Sequence, residues 1–114
     1  MFLNLFSVVY PVDELHKAKE WYGRALQTSP EIVDPAYVGF KIGSNRLELR
    51  LTSDTSSDPG QGPVAYWGTS DIENEFERLI GLGAVKDQGI QNIGDGMVKA
   101  TVADPFGNIL GIVG

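Results

Sequence analysis

The pattern of hydrophobic and polar residues predicts strands and helices in a repeating order. Residues 46–51 form the clearest strand, because leucines alternate with charged residues and so share one face. Helices are predicted to begin after Asp13 and after Ser70, where apolar residues recur at helical spacing. The predicted strands are residues 2–10, 31–34, 37–42, 46–51, 63–68, 84–93, 97–103 and 109–113.

Local signals set the ends of these elements. Pro11 is expected to end the first strand. Ser70 and Glu73 predict a capping box at the start of the second helix, since a hydroxyl and a carboxylate can satisfy backbone amides there. Residues 104–108, Asp-Pro-Phe-Gly-Asn, predict the turn of a closing hairpin. The buried stripe of the second helix is predicted to be Ile72, Phe76, Leu79 and Ile80.

The order strand, helix, three strands occurs twice. Residues 1–52 form the first module and residues 63–114 the second, joined by a linker at 53–62 that is rich in Ser, Asp, Gly and Pro. We therefore predict a single α+β domain of tandem βαβββ modules. The modules would form a curved mixed β-sheet around a central cavity, with one helix per module on the outside.

Composition narrows the range of partners. The chain has 114 residues and a net charge of −6, which opposes nucleic acid or an anionic membrane as a partner. It has no cysteine, and this excludes disulfides, thiolate metal sites and a cysteine nucleophile. No apolar run approaches the ~20 residues of a membrane span, and no basic signal-peptide region is visible. A cytoplasmic location is expected.

The tandem order together with the 104–108 turn resembles the vicinal oxygen chelate superfamily of glyoxalase I, bleomycin resistance proteins and extradiol dioxygenases. Residues 14–22 look like the first helix of that family, and residues 71–84 look like its second helix and the Gly-Ala that follows. The resemblance implies a divalent metal held in the concavity by one ligand from the first and last strand of each half. These ligands are usually His, Gln or Glu.

The four implied ligand positions fall at Ser7, Glu48, Val64 and Gly111. Only Glu48 could bind a metal well, because valine and glycine side chains offer no ligand atom. The lone histidine, His16, is expected to lie on the solvent face of the first helix. We therefore expect neither the metal site of the family nor another cofactor.

The charged strand 46–51 offers the candidate chemistry. If its leucines face the helix, Arg46, Glu48 and Arg50 point into the concavity. In one interpretation, Arg46 or Arg50 anchors a carboxylate or phosphate-like group of a ligand, or Glu48 takes a cationic or hydroxyl group. In the other, the charges neutralise one another as an Arg–Glu ladder, or the strand edge is open to water. Gly111 in mid-strand leaves space for close approach of a ligand or of backbone. The predicted ligand-binding residues are Ser7, Val9, Arg46, Glu48, Arg50, Val64, Tyr66 and Gly111.

These features favour a protein that binds a small molecule without the metal, similar to the bleomycin-resistance branch, which acts by sequestration or transport. The resemblance to that branch implies a homodimer. The alternative is an enzyme of the same fold, of lyase, isomerase or dioxygenase type, with Glu48 as a metal-free general base or with an atypical metal site. A third possibility is a subunit that has lost any ligand, with Phe and Tyr side chains filling its cavity.

Overall fold

The computed structural model describes residues 1–114, which divide into two units, Met1–Pro59 and Gly60–Gly114. Each unit contains one α-helix and one four-stranded sheet, in the predicted order. The elements of the first unit are β1 (Ser7–Val12), α1 (Leu15–Leu26), β2 (Ile32–Val33), β3 (Tyr37–Ile42) and β4 (Asn45–Leu51). Those of the second unit are β5 (Tyr66–Gly68), α2 (Ile72–Gly81), β6 (Val85–Gly94), β7 (Met97–Ala103) and β8 (Ile109–Val113).

The two sheets have the same topology. The first has the strand order β1-β4-β3-β2 and the second the order β5-β8-β7-β6. In each sheet the first strand of the unit runs parallel to the last, and the other neighbours are antiparallel. Two helices and two mixed sheets give the α+β class that the sequence predicts. Neither helix has the length and apolar character needed to cross a membrane.

The core of the first unit lies between α1 and one face of its sheet. Leu47 and Leu49 are fully buried, and α1 packs on β3 and β4. Tyr22 of α1 is also fully buried, and its ring centroid lies 5.9 Å from that of Tyr10 and 4.9 Å from that of Trp21. The prediction that the leucines of β4 face the helix is therefore confirmed.

The first strand differs from the prediction at both ends. It begins at Ser7 rather than residue 2 and continues through Pro11 to Val12. Proline is tolerated because β1 is an edge strand, bonded only to β4. The outer side of an edge strand has no neighbour to accept a hydrogen bond, so the missing N–H of Pro11 breaks no pairing. The backbone N–H of Arg46, near the start of β4, donates a hydrogen bond to the backbone oxygen of Phe6 (3.0 Å). The residues that precede Phe6 have no neighbouring strand, so they do not extend β1.

The stripe of buried residues on the second helix is narrower than predicted. Ile72 and Leu79 are buried, whereas Ile80 is 37% exposed. At 3.6 residues per turn Ile80 lies about 80° around the helix from Ile72, at the edge of the apolar face. The N-cap is Asp71, whose carboxylate accepts from the backbone N–H of Asn74 (3.2 Å), and not the predicted Ser70.

The 104–108 turn closes the β7–β8 hairpin through its own side chains. The buried Asp104 accepts hydrogen bonds from the backbone N–H groups of Phe106 and Asn108, both at 2.8 Å, through a single carboxylate oxygen. Gly107 between them has a φ of +92°, which favours glycine. The side-chain oxygen of Asn108 accepts from the N–H of Gly60 (3.4 Å) and so joins the turn to the start of the unit. The turn therefore has a structural role.

An ion pair on α2 makes stability depend on pH. Arg78 donates to Glu75 at 3.1 and 2.7 Å, and these hydrogen bonds lower the pKa of Glu75 from its ordinary 4.5, against the opposing effect of burial. The pair therefore stabilises the fold fully above pH 4.5, and this contribution is lost as the pH falls below that value.

We expect Glu75→Gln to lower the free energy of unfolding by about 0.5 kcal/mol at neutral pH, and by less in acid. Urea denaturation across the pH range measures the difference. Glu73→Gln is the matched control, because Glu73 also lies in the first turn of α2 but is exposed and forms no ion pair. Equal pH profiles for the two variants would contradict the prediction.

Candidate functional site

Five of the predicted site residues lie together in the first unit. Because the leucines of β4 face α1, the alternate residues Arg46, Glu48 and Arg50 lie on the opposite face, which we call the helix-free face. Ser7 is paired with Arg46 and Val9 with Glu48 across the parallel β1–β4 ladder, so they share this face. The structure therefore brings these five residues onto one surface.

Arg46 is already engaged within the protein. Its guanidinium forms an ion pair with Glu31 and lies over the ring of Phe6, 5.6 Å from the centroid. Its stem crosses Gly39, where an added Cβ would stand 3.3 Å from the Arg46 Cδ. Arg46 therefore contributes to the packing of the sheet surface and has less capacity to hold a ligand.

Glu48 and Arg50 form a second, separate ion pair. Glu48 is only 6% exposed, and its Oε1 accepts from both Nε (3.1 Å) and Nη2 (2.7 Å) of Arg50. The guanidinium carbon of Arg50 lies 4.2 Å from the ring centroid of Tyr37, which fixes its plane. Glu48 Oε2 and Arg50 Nη1 make no hydrogen bond within the protein. The three charges of β4 thus form two separate pairs rather than one ladder.

A pocket of about 300 Å³ opens beside Arg50. This is the lower end of the range for small-molecule sites, roughly 300–1,000 Å³. The hydroxyls of Ser56 and Ser57 make no hydrogen bond within the protein and are free to bind a ligand. The lining residues come from β1, β4 and the loop after β4: Val9, Pro11, Arg50, Asp54, Thr55, Ser56 and Ser57. The loop residues were predicted only as linker, although their Ser, Thr and Asp content was the available signal.

A larger hollow of about 460 Å³ lies at the end of α1. It is wide open and lined mainly by exposed polar side chains. Its charged residues include Lys19 and Glu20, whose nitrogen and oxygen lie 3.8 Å apart. It contains no buried ion pair comparable to Glu48–Arg50, so the pocket beside Arg50 is the stronger candidate site.

The other three predicted residues belong to the second unit. Tyr66 is the cross-strand partner of Gly111, and its ring covers that glycine. A Cβ on Gly111 would lie 2.7 Å from both the Tyr66 Cδ1 and the backbone oxygen of Ala65, so the predicted space is filled by a ring and by backbone. The pairing of β5 with β8 begins at Tyr66, so Val64 lies before the strand. Val64 is 41% exposed.

Sequence reasoning missed Lys99. This residue is half-buried on β7, and its Nζ lies 5.3 Å from the ring centroid of Tyr66. The alternation of residues 97–103 was the available signal, because Lys99 shares a face with Thr101, and Thr101 pairs with Gly111.

The residues at the four family ligand positions do not fit a divalent metal. Val64 and Gly111 have no ligand atom, and Ser7 and Glu48 alone cannot complete a site. No group of three or more His, Cys, Asp or Glu side chains able to hold a metal occurs in the chain. His16 is exposed, as predicted.

Two units of strand, helix and three strands, each with the sheet order first-fourth-third-second, define a class of proteins built from paired βαβββ modules. The chain belongs to the Glyoxalase/Bleomycin resistance protein/Dioxygenase superfamily, whose family model matches residues 4–112. This confirms the predicted family. A comparison with curated proteins gives no match by sequence.

Solved structures show the same fold. A glyoxalase-related enzyme from Fulvimarina pelagi has a TM-score of 0.82 at 16% identity, over 98% of this chain and 88% of its own. Lactoylglutathione lyase from Agrobacterium tumefaciens has a TM-score of 0.80 at 18% identity, over 96% and 92%. TioX from Micromonospora sp. ML1 has a TM-score of 0.77 at 18% identity, over 96% and 97%. Identities this low establish the fold alone.

Proposed function

We propose that the chain binds a small organic molecule in the pocket beside Arg50, without the metal centre of the family. The observation that carries this proposal is that the guanidinium of Arg50 is held in place at the pocket with one nitrogen unpaired. Its guanidinium is held by Glu48 and Tyr37, yet it lines the pocket and keeps Nη1 without a partner. A donor held in place in this way can bind an acceptor group at a small cost in side-chain entropy.

The lining defines the chemistry of the ligand. Val9 and Pro11 offer an apolar wall, and the hydroxyls of the loop offer polar contacts. Two carboxylates, Asp54 and Glu48, lie at or beside the pocket with one guanidinium. This balance favours a neutral or zwitterionic molecule with one strong acceptor over a multiply charged anion. Such binding suits sequestration or transport, as in the bleomycin-resistance branch of the family.

The pocket can be tested by filling it. We expect hits from a thermal-shift screen of small polar molecules to bind Ser56→Trp at least about tenfold more weakly than the unmodified chain, because the indole would occupy the pocket. Ser53→Trp is the matched control, since Ser53 is exposed in the same segment but does not line the pocket. Each hit is measured with and without a chelator, and the affinity should not change.

Hits that bind Ser56→Trp as tightly as the unmodified chain would contradict the proposed location. Hits that require an added divalent metal would contradict the proposed absence of a metal centre.

A second candidate function is metal-free catalysis with Glu48 as general base. It is favoured by one observation: Arg50 fixes the carboxylate through Oε1 and leaves Oε2 without a hydrogen bond. A carboxylate oriented in this way could take a proton from a bound substrate. Following each hit by NMR separates the two functions, because a binding protein returns its ligand unchanged.

A further inference from the structure

We propose that Lys99 anchors an acidic group, a carboxylate or a phosphate, of a small molecule bound to the second sheet. The site would lie on the face opposite α2, where Lys99 and Tyr66 are neighbours. It uses none of the residues that line the pocket beside Arg50, all of which belong to the first unit. The inference therefore goes beyond the proposed function.

Lys99 differs from the other basic residues because it is half-buried and forms no ion pair. Five of the nine Lys and Arg side chains form ion pairs: Lys17, Lys19, Arg46, Arg50 and Arg78. Three more, Arg24, Lys41 and Lys86, are exposed to solvent. Lys99 alone is half-buried and has no carboxylate partner. Lys99 therefore has no counter-charge within the protein, and a bound anion would supply one through a charge-assisted hydrogen bond.

The ring of Tyr66 holds the ammonium in place. Lys99 Nζ lies 5.3 Å from the ring centroid, a distance at which the ring face attracts a cation. The ring itself is fixed because it lies against Gly111, a position that no larger residue could occupy without displacing it. This attraction orients the amine but supplies no negative charge. Lys99 therefore keeps hydrogen-bond donors for a ligand.

On the neighbouring strand β6, the carboxylate of Asp87 forms a hydrogen bond with a residue other than Lys99. Asp87 accepts a hydrogen bond from the hydroxyl of Thr101 (2.8 Å), which in turn accepts from the backbone N–H of Gln88 (3.1 Å). The recess lined by these strands and by Lys99 is too narrow to admit a water molecule. The acidic group would therefore bind at the rim, where Gln91, the cross-strand partner of Lys99, adds an amide.

The test uses ¹H–¹⁵N NMR titrations with benzoate, phenyl phosphate and uncharged benzamide. We expect at least one of the two anions to shift the amide signals of Lys99, Tyr66 and Gln91 saturably, and benzamide to leave them unchanged. Benzoate and phenyl phosphate distinguish a carboxylate from a phosphate ligand. Lys99→Met should weaken anion binding at least about tenfold, whereas Lys99→Arg should retain it. Lys86→Met is the matched control, because Lys86 is an exposed lysine on the same sheet.

Equal anion binding by Lys99→Met, or no shift at these amides with either anion, would overturn the inference. The spectra also show directly whether each variant is folded. Ser56→Trp separates this site from the first one, because it should leave anion binding unchanged. Loss of anion binding in Ser56→Trp would place the anion beside Arg50 and would refute a role for Lys99.

Discussion

Replacing Gly111 by alanine is expected to lower the free energy of unfolding by about 2 to 3 kcal/mol, as for other overpacked core positions. The added Cβ would lie 2.7 Å from both the Tyr66 Cδ1 and the Ala65 backbone oxygen. That oxygen accepts a hydrogen bond from Gly111 itself (3.0 Å), so the backbone cannot withdraw without breaking it. Urea denaturation measures the loss.

Gly68→Ala is the matched control. Gly68 lies on β5 in the same sheet, and an added Cβ there would meet nothing within 4 Å. We expect it to change stability by less than about 0.5 kcal/mol. A Gly111→Ala variant as stable as Gly68→Ala would show that Tyr66 and Ala65 relax freely, contrary to the packing described above.

Replacing Arg50 by methionine is expected to lower the free energy of unfolding by about 2 kcal/mol. Removal of one partner leaves the carboxylate of Glu48 buried and unpaired, which costs about 3–5 kcal/mol for a fully buried pair. The side chain of Arg50 is 34% exposed, so solvent screening reduces the cost. The double variant Glu48→Leu/Arg50→Met should recover most of the loss, because it leaves no unpaired charge.

Arg46→Met provides the comparison. Its partner Glu31 has a side chain that is 42% exposed, so water can solvate the carboxylate once the pair is broken. We expect a loss below about 1 kcal/mol. Equal losses for Arg46→Met and Arg50→Met, or a double variant no more stable than Arg50→Met, would contradict a buried pair at Glu48.

The sequence predicted the parts of the fold that depend on periodicity. The alternation in β4 placed Leu47 and Leu49 against the helix and the charged residues on the other face, because side-chain direction in a strand alternates regardless of neighbours. The start of β1 was not predictable in this way. Residues 2–6 are as apolar as a strand, but a strand also needs a partner, and β4 begins only at Asn45.

Of the residues that line the pocket beside Arg50, the sequence analysis named only Val9 and Arg50 as ligand-binding, and the contacts within the site were not predicted. The ion pair between Arg46 and Glu31 joins side chains 15 residues apart. It depends on side-chain rotamers that no local sequence pattern encodes. The position of the Tyr66 ring over Gly111, which also orients Lys99, depends on cross-strand register. Such contacts require the three-dimensional placement of strands.

The packing of Tyr66 against Gly111 also constrains how this chain could evolve. A single substitution at Gly111 is not enough to place one of the family's ligands there, since the Tyr66 ring and the Ala65 carbonyl lie too close to an added Cβ. A smaller residue at position 66 and a shift of the neighbouring backbone would have to come first. A path toward a metal ligand at position 111 would therefore begin with a step that adds no ligand.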